Sequence, residues 1–298
     1  MKKTGLIGVG LLGGALANRL AKQGWEVIGH DPLSTVTEEI TMCDSATELV
    51  SQCKTVLLSL PTSNIVDSVI DSLGSTITNQ HCFVDTTTGN PEEMEAISKK
   101  LKERGAHYLE ANVAGSSELA KVGKAPLFLG GEKEIIHCYQ DLLNTLAPKQ
   151  FYVGPIGAAS RFKLVHNLIL GLNRAGLAEG LALAEALGFN ASEALTILRE
   201  TPATSMAMEA KGNRMAKGQY TPPQAKLSQH LKDVRIIQHL AKKAGAHTPL
   251  TNAHQTLLEE AESLGFGESD NAAIIEAFRK NVIEPLKTQS YQPSRAPG

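Results

Sequence analysis

The chain has 298 residues, 42% of them hydrophobic and 20% charged, with a formal net charge of -2. That length exceeds what one hydrophobic core usually organises and predicts two domains of about 100 to 200 residues. The near-neutral balance gives no electrostatic reason to expect nucleic acid or an anionic membrane as partner, and no run of 18 apolar residues predicts a membrane span.

The first informative stretch is GLIGVGLLGGALANRL, residues 5 to 20. Lys2 and Lys3, an apolar run and Ala15-Leu16-Ala17 imitate a secretion signal. Five glycines within residues 5 to 14 would make a poor apolar helix, however, and cleavage after Ala17 would strip the helical NRLAKQG of its start. The alternative takes Thr4 to Val9 as a short buried strand, Gly8-Val9-Gly10-Leu11-Leu12-Gly13 as G-x-G-x-x-G, and residues 11 to 23 as a helix. In such a turn the first glycine permits the bend, the second lets backbone approach a pyrophosphate, and the third lets helix lie close on strand. A second strand, Glu26 to His30, ends in Asp31, 21 residues after Gly10, which completes the dinucleotide fingerprint. An acid there accepts from ribose hydroxyls and repels a 2'-phosphate, and Pro32 and Leu33 supply no Arg to hold one, so NAD is expected before NADP. The competing role for Asp31 is that of a turn former ahead of Pro32.

Apolar runs then alternate with helical patterns: TVLLSL at 55 to 60 before IVDSVIDSL, CFVD at 82 to 85 before PEEMEAISKKLKERG, HYLEANV at 107 to 113, APLFLGG at 125 to 131 and QFYVG at 150 to 154. This predicts an α/β fold with an N-terminal, mostly parallel, doubly wound Rossmann sheet. Pro61-Thr62 and Asp85-Thr86-Thr87-Thr88 fall at strand ends, where such sheets bind ligands; they serve equally well as helix starts and N-caps. From about Gly154 the pattern becomes all-helical. One long helix is expected over 159 to 187, lining a contact with the other domain or another subunit. Further helices are expected over 191 to 199, 203 to 216, 224 to 244, 250 to 264 and 271 to 283. The domains are predicted as 1-156, a cofactor-binding Rossmann unit, and 157-285, a helical substrate and oligomerisation unit. The polar tail 286-298 is expected to be disordered. Cys43, Cys53, Cys82 and Cys138 form no CxxC pair, and nine histidines form no metal-ligand grouping, so reduced thiols, a cytoplasmic location and no metal are expected.

GVGLLG and the run Gly154-Pro155-Ile156-Gly157-Ala158-Ala159-Ser160-Arg161-Phe162-Lys163-Leu164-Val165-His166-Asn167 together resemble the β-hydroxyacid dehydrogenase family, which contains 3-hydroxyisobutyrate dehydrogenase and semialdehyde reductases. VDTTTGNP at 84 to 91, Leu231-Lys232-Asp233 and GFGESDNAAI at 265 to 274 resemble further elements of it, so the resemblance covers nearly the whole chain. It implies Lys163 as the residue that exchanges a proton with the substrate hydroxyl. Asn167, four residues on and so on the same helical face, would hold the substrate oxygen or the lysine. A free lysine titrates near 10.4, and burial between an apolar helix and a nicotinamide would lower it into a useful range. The resemblance places substrate carboxylate recognition in the strand-end loop Glu110-Ala111-Asn112-Val113-Ala114-Gly115-Ser116-Ser117. Here Ala114 stands where a hydroxyl is usual and Ser116 where glycine is usual, so the N-H groups of Gly115 and Ser116, with the Ser116 or Ser117 hydroxyl, would take over. Lys232 would reach toward nicotinamide and substrate; its other reading is a solvated helix lysine beside Asp233. His166 is read as a packing residue rather than a catalyst.

The cofactor is accordingly expected on Gly8, Gly10, Leu11, Leu12, Gly13, Asp31, Pro61, Thr62, Thr88 and Lys232. The function implied is an NAD-dependent oxidoreductase interconverting a small anionic β-hydroxyacid and its semialdehyde or keto form, trapped between the domains of a homodimer or homotetramer. Two alternatives stand beside it. Imine reductases share the fold but usually replace the lysine, which Lys163 counts against; a dinucleotide-binding sensor or scaffold that transfers nothing draws its support from the altered loop at Ala114.

Overall fold

The computed structural model describes residues 2–33 and 40–279. Its contacts divide it into two compact units, residues 1–167 and 168–298, with the division falling inside one continuous helix.

In the first unit, eight strands form a single sheet: β1 (Lys3–Ile7), β2 (Glu26–His30), β3 (Thr41–Met42), β4 (Thr55–Leu58), β5 (Cys82–Asp85), β6 (His107–Val113), β7 (Leu127–Gly130) and β8 (Gln150–Gly154). Their order is β3-β2-β1-β4-β5-β6-β7-β8, parallel throughout except for the antiparallel pair β6 and β7. The helices connecting them are α1 (Leu11–Lys22), α2 (Ala46–Gln52), α3 (Ser63–Leu73), α4 (Pro91–Glu103), α5 (Ser117–Lys121), α6 (Lys133–Cys138) and α7 (Gln140–Leu146). Successive strand residues point to opposite faces, and here both faces are covered. Leu6, Leu57, Val84 and Leu109 join a core with Leu16 and Leu20 of α1 and Leu142 and Leu143 of α7. Their chain neighbours Ile7, Leu58, Phe83 and Tyr108 join a second core with Leu49 of α2, Val66 of α3 and Met94 of α4. Burial on both sides is why these strands read as unbroken apolar runs rather than alternating ones.

Several strands stop earlier than the sequence suggests. β1 ends at Ile7 rather than Val9, because Gly8 turns the chain at φ +95°. β4 ends at Leu58 rather than Leu60, because Leu60 N donates to the Thr87 hydroxyl (3.1 Å) instead of to a strand. β7 covers 127 to 130 of the expected 125 to 131.

The long helix α8 (Ala158–Ala186) runs from the first unit into the second. The second unit adds α9 (Ala191–Arg199), α10 (Met206–Lys217), α11 (Leu227–Ala244), α12 (Pro249–Ala261) and α13 (Glu276–Arg279). α10 begins at 206, three residues later than expected, where the Ser205 hydroxyl accepts from Met208 N. α11 likewise starts at 227 rather than 224, after Gln224 N and Ala225 N have turned to Asp270 Oδ2. The helix expected over 250 to 264 ends as α-helix at Ala261 and widens into a π turn over 262 to 266, where Gly265 takes φ +95°. The last expected helix opens as a 3-10 segment, Asn271–Ile275, capped by Asp270; its portion beyond 279, and the tail 286-298, lie outside the described residues. Leu181, Leu195, Met208, Met215, Leu231, Val234 and Leu258 build this unit's core. Asp270 crosslinks it by accepting from Lys211 Nζ with both carboxylate oxygens, at 2.9 and 2.8 Å.

Candidate active site

The turn between β1 and α1 can be tested glycine by glycine. Gly8 holds a positive φ, and a Cβ there would strike Ser59 O; a Cβ on Gly13 would overlap Gly8 O. Both positions are filled by the protein's own backbone. A Cβ on Gly10, by contrast, would meet nothing within 4 Å. Gly10 is also the N-cap of α1, whose first turn contains no acidic residue and no side-chain cap. Unsatisfied N-H groups and the positive end of the helix dipole therefore face open space, the arrangement that receives a phosphate. Leu11 is half exposed beside it, and Gly10, Leu11 and Ser117 line one groove of about 500 Å³.

Asp31 forms the turn ahead of Pro32. Its Oδ2 accepts from Val9 N (2.7 Å) and its Oδ1 from Leu33 N (2.8 Å). The carboxylate thus ties the tip of β2 to the glycine turn and shapes the bend at Pro32, while each oxygen keeps a lone pair for a ribose hydroxyl. Thr62 is the N-cap of α3, accepting from Ile65 N (3.3 Å). Pro61 is exposed and Thr88 half-buried, at the ends of the segments following β4 and β5.

Two polar groups within the expected carboxylate-binding loop, on β6, have roles that sequence reasoning did not assign. Asn112 is buried and donates through Nδ2 to Thr87 O (2.7 Å), tying β6 to the segment 86 to 88. Glu110 accepts from Gly157 N (2.7 Å), Ala159 N (3.3 Å), Ser160 N (3.2 Å) and the Ser160 hydroxyl. It plugs the N-terminus of α8, where a carboxylate opposes the helix dipole and fills the orphan donors. Burial nevertheless pushes its carboxyl up from the ordinary value, against the pull of those hydrogen bonds. The only signal for either residue is a polar type inside an otherwise apolar strand. The loop Ala114, Gly115 and Ser116 follows at once, half-buried. Ala114 N donates to Pro126 O (2.8 Å), Gly115 fits tightly against Ala125, and the Ser116 hydroxyl accepts from Leu119 N (3.3 Å) as the cap of α5. Ser116 therefore has its hydroxyl hydrogen to offer a ligand, while one of its lone pairs is engaged.

Glu110 fixes where α8 begins, and so which way Lys163 and Asn167 face. These two are 7% and 8% exposed, while Phe162, Val165 and Ile169 between and beside them are about half exposed. The helix thus presents one buried polar face carrying an amine and an amide. His166 Nδ1 lies 3.1 Å from Asn167 Oδ1, and its ring stands edge-on to Phe128 at 5.7 Å. Burial first, and then the Lys163 charge, push the His166 imidazole below its ordinary value. A neutral imidazole can donate Nδ1-H to that amide oxygen and so orient Asn167. Lys232, in the second unit, is 23% exposed and pairs with Asp233 Oδ1 at 2.9 Å. Among the described residues, no three His, Cys, Asp or Glu side chains group as metal ligands, and no helix is long and apolar enough to cross a membrane.

Comparison with known proteins identifies the family. Residues 3–154 match the family model described as the NAD binding domain of 6-phosphogluconate dehydrogenase, and residues 157–278 match the one described as the NAD-binding of NADP-dependent 3-hydroxyisobutyrate dehydrogenase. The chain is 28% identical to glyoxylate/succinic semialdehyde reductase 1 of Arabidopsis thaliana, over 93% of this chain and 98% of the relative. It is 32% identical to the cytokine-like nuclear factor N-PAC of Aedes aegypti over 64% of this chain, spanning about a third (34%) of that protein. Its fold resembles that of a 3-hydroxyisobutyrate dehydrogenase from Salmonella typhimurium, with a TM-score of 0.86, 21% identity, and coverage of 93% of this chain and 99% of that one. With a glycine turn open to a diphosphate and two family models that together take in almost all the described residues, the chain belongs to the β-hydroxyacid dehydrogenase family of NAD(P)-dependent oxidoreductases.

Proposed function

We propose that the protein interconverts a small β-hydroxyacid and its semialdehyde or keto form, using NAD in preference to NADP, with Lys163 as the general acid/base. The observation that carries this reading is the buried amine of Lys163, one helical turn before the buried amide of Asn167 on α8. A bound nicotinamide would supply or accept the hydride. The chain's own residues do the rest: the Lys163 amine takes the hydroxyl proton as the carbonyl forms and returns it in reduction, and Asn167, oriented by His166, holds the reacting oxygen. Gly115, Ser116 and Lys232 are the proposed carboxylate contacts, and Ala114 adds no hydroxyl to them.

The preference for NAD is supported by Asp31 at the tip of β2 and by the absence of any Lys or Arg from residue 31 to residue 53. A 2'-phosphate would meet a carboxylate and no cation. Assembly as a homodimer or homotetramer is part of the proposal, supported by the exposed apolar residues Phe162, Val165, Ile169 and Leu183 along α8. So is a cytoplasmic location, for which the four unpaired thiols speak.

The reading is tested by following absorbance at 340 nm with NAD and a panel of hydroxyacids that includes 3-hydroxyisobutyrate, glycerate and 4-hydroxybutyrate. Turnover is expected, and Lys163→Ala should lower kcat at least ~10²-fold. Tight NADH binding without turnover on any member of the panel would instead favour the sensor. Tighter binding of NADP than of NAD would overturn the cofactor preference.

A further inference from the structure

Farther along α8 lies a second buried cation. Arg174 is 4% exposed, and neither its Nε nor its Nη2 meets an acceptor. His254 of α12, 2% exposed, likewise has both ring nitrogens without a partner. The His230 ring of α11 lies beside it, with centroids 5.1 Å apart. Both imidazoles press against α8 at Gly171, where a Cβ would come within 2.7 Å of His230 Nε2 and of His254 Cε1. Glycine at 171 is what admits the two rings next to Arg174.

The two carboxylates whose charge reaches Arg174 each also pair with a lysine. Asp233 pairs with Lys232 at 2.9 Å and Asp270 with Lys211 at 2.8 Å. Three cations thus share two carboxylates, leaving one positive charge in excess. Burial pushes the Arg174 guanidinium down to about 10 and the His254 imidazole down to about 4, so at neutral pH the first is charged and the second is not. An uncompensated buried guanidinium is strongly destabilising, and proteins seldom retain one without a partner. Nε and Nη2 form the side-on edge of the guanidinium fork, whose two parallel N-H groups match the two oxygens of a carboxylate or phosphate.

We propose that Arg174, with His254 beside it, receives an oxyanion carried in by a ligand, a carboxylate or a phosphate group held in bidentate fashion. Two sources share this chemistry. Arg174 follows Asn167 by seven residues, on the same face of α8 and about 10 Å farther along its axis at ~1.5 Å per residue. A second acidic group of the substrate is therefore one source, a possibility that rests on the function proposed above. A free oxyanion is the other.

The test uses the full-length protein at fixed ionic strength, with sodium glutarate and sodium phosphate as probes against sodium chloride. A saturable rise in unfolding temperature is expected with at least one probe, and Arg174→Gln should weaken the apparent affinity at least tenfold. Arg174→Lys, which keeps the charge and loses the fork, should give an intermediate loss, and it serves as the test if the glutamine variant does not fold. A wild-type protein indifferent to both probes, or an Arg174→Lys protein responding like wild type, would overturn the site. Kinetics separate the sources. If the substrate brings the anion, Arg174→Lys raises KM at least tenfold for hydroxyacids bearing a second carboxylate and not for those with one. If the anion is free, the ratio of the two KM values stays unchanged while the stabilising response is lost. Absence of turnover would sink the dehydrogenase reading and leave the anion response standing by itself.

Discussion

Glu110 in the sheet unit and Arg174 in the helical unit are both buried charged side chains, and their surroundings are opposite. Four donors from the chain itself converge on Glu110, whereas the forked edge of Arg174 meets no acceptor. The same contrast separates Gly13, whose missing Cβ is occupied by Gly8 O, from Gly10, whose missing Cβ would point into open space. Positions that the chain completes by itself hold the fold together. Positions that it leaves incomplete are where a ligand can contribute, and the family's cofactor turn is of this second kind.

The contrast can be broken by substitution. Gly13→Ala should have the largest effect, because the clash is with backbone that cannot swing aside: more than ~4 kcal/mol of stability, or failure to fold. Gly10→Ala, three residues earlier, should cost no more than ~1 kcal/mol in denaturant unfolding yet abolish measurable NADH binding by fluorescence titration. Equal stability losses in the two variants would erase the distinction. Glu110→Ala strands three N-H groups and a hydroxyl, and should cost about 3 kcal/mol in urea unfolding while lowering kcat through a displaced Lys163.

Asp85 offers a smaller, pH-dependent test. Burial pushes its carboxyl up to about 6, against hydrogen bonds from Thr87 N (2.8 Å) and the Tyr108 hydroxyl (2.8 Å). Since the folded value lies above the ordinary 3.8, the native state holds the proton more tightly than the unfolded chain. The stabilisation from this group is complete below pH 4 and disappears as pH rises through 6, a change of up to about 3 kcal/mol. Asp85→Asn should therefore flatten the pH dependence between 4 and 6.5, and a variant whose profile parallels wild type would show that Asp85 titrates normally.

The sheet was legible because its strands are buried on both faces and so read as apolar runs, and the glycine turn because its spacing to Asp31 is rigidly set by one strand, one helix and one strand. β3 and α5 escaped notice for a plain reason: two and five residues are too few for a periodic pattern to show. Glu110 could be seen as an acid in an apolar strand, but its donors lie 47 to 50 residues later, a distance that local pattern cannot bridge. Arg174 was hidden for the same cause. Its place on α8 reads as an ordinary helix cation until folding brings up His230 and His254, from 56 and 80 residues downstream. Boundaries failed where a side chain competed with the backbone, as Thr87 does for Leu60 N.

The bond from Val9 N to the Asp31 carboxylate carries a consequence for engineering. The residue proposed to favour NAD over NADP also braces the loop on which the cofactor is proposed to sit. Redesigning the protein to accept a phosphorylated ribose by replacing Asp31 alone would loosen its diphosphate cradle at the same stroke. A successful swap needs two changes, one to supply a cation and one to give Val9 a new acceptor.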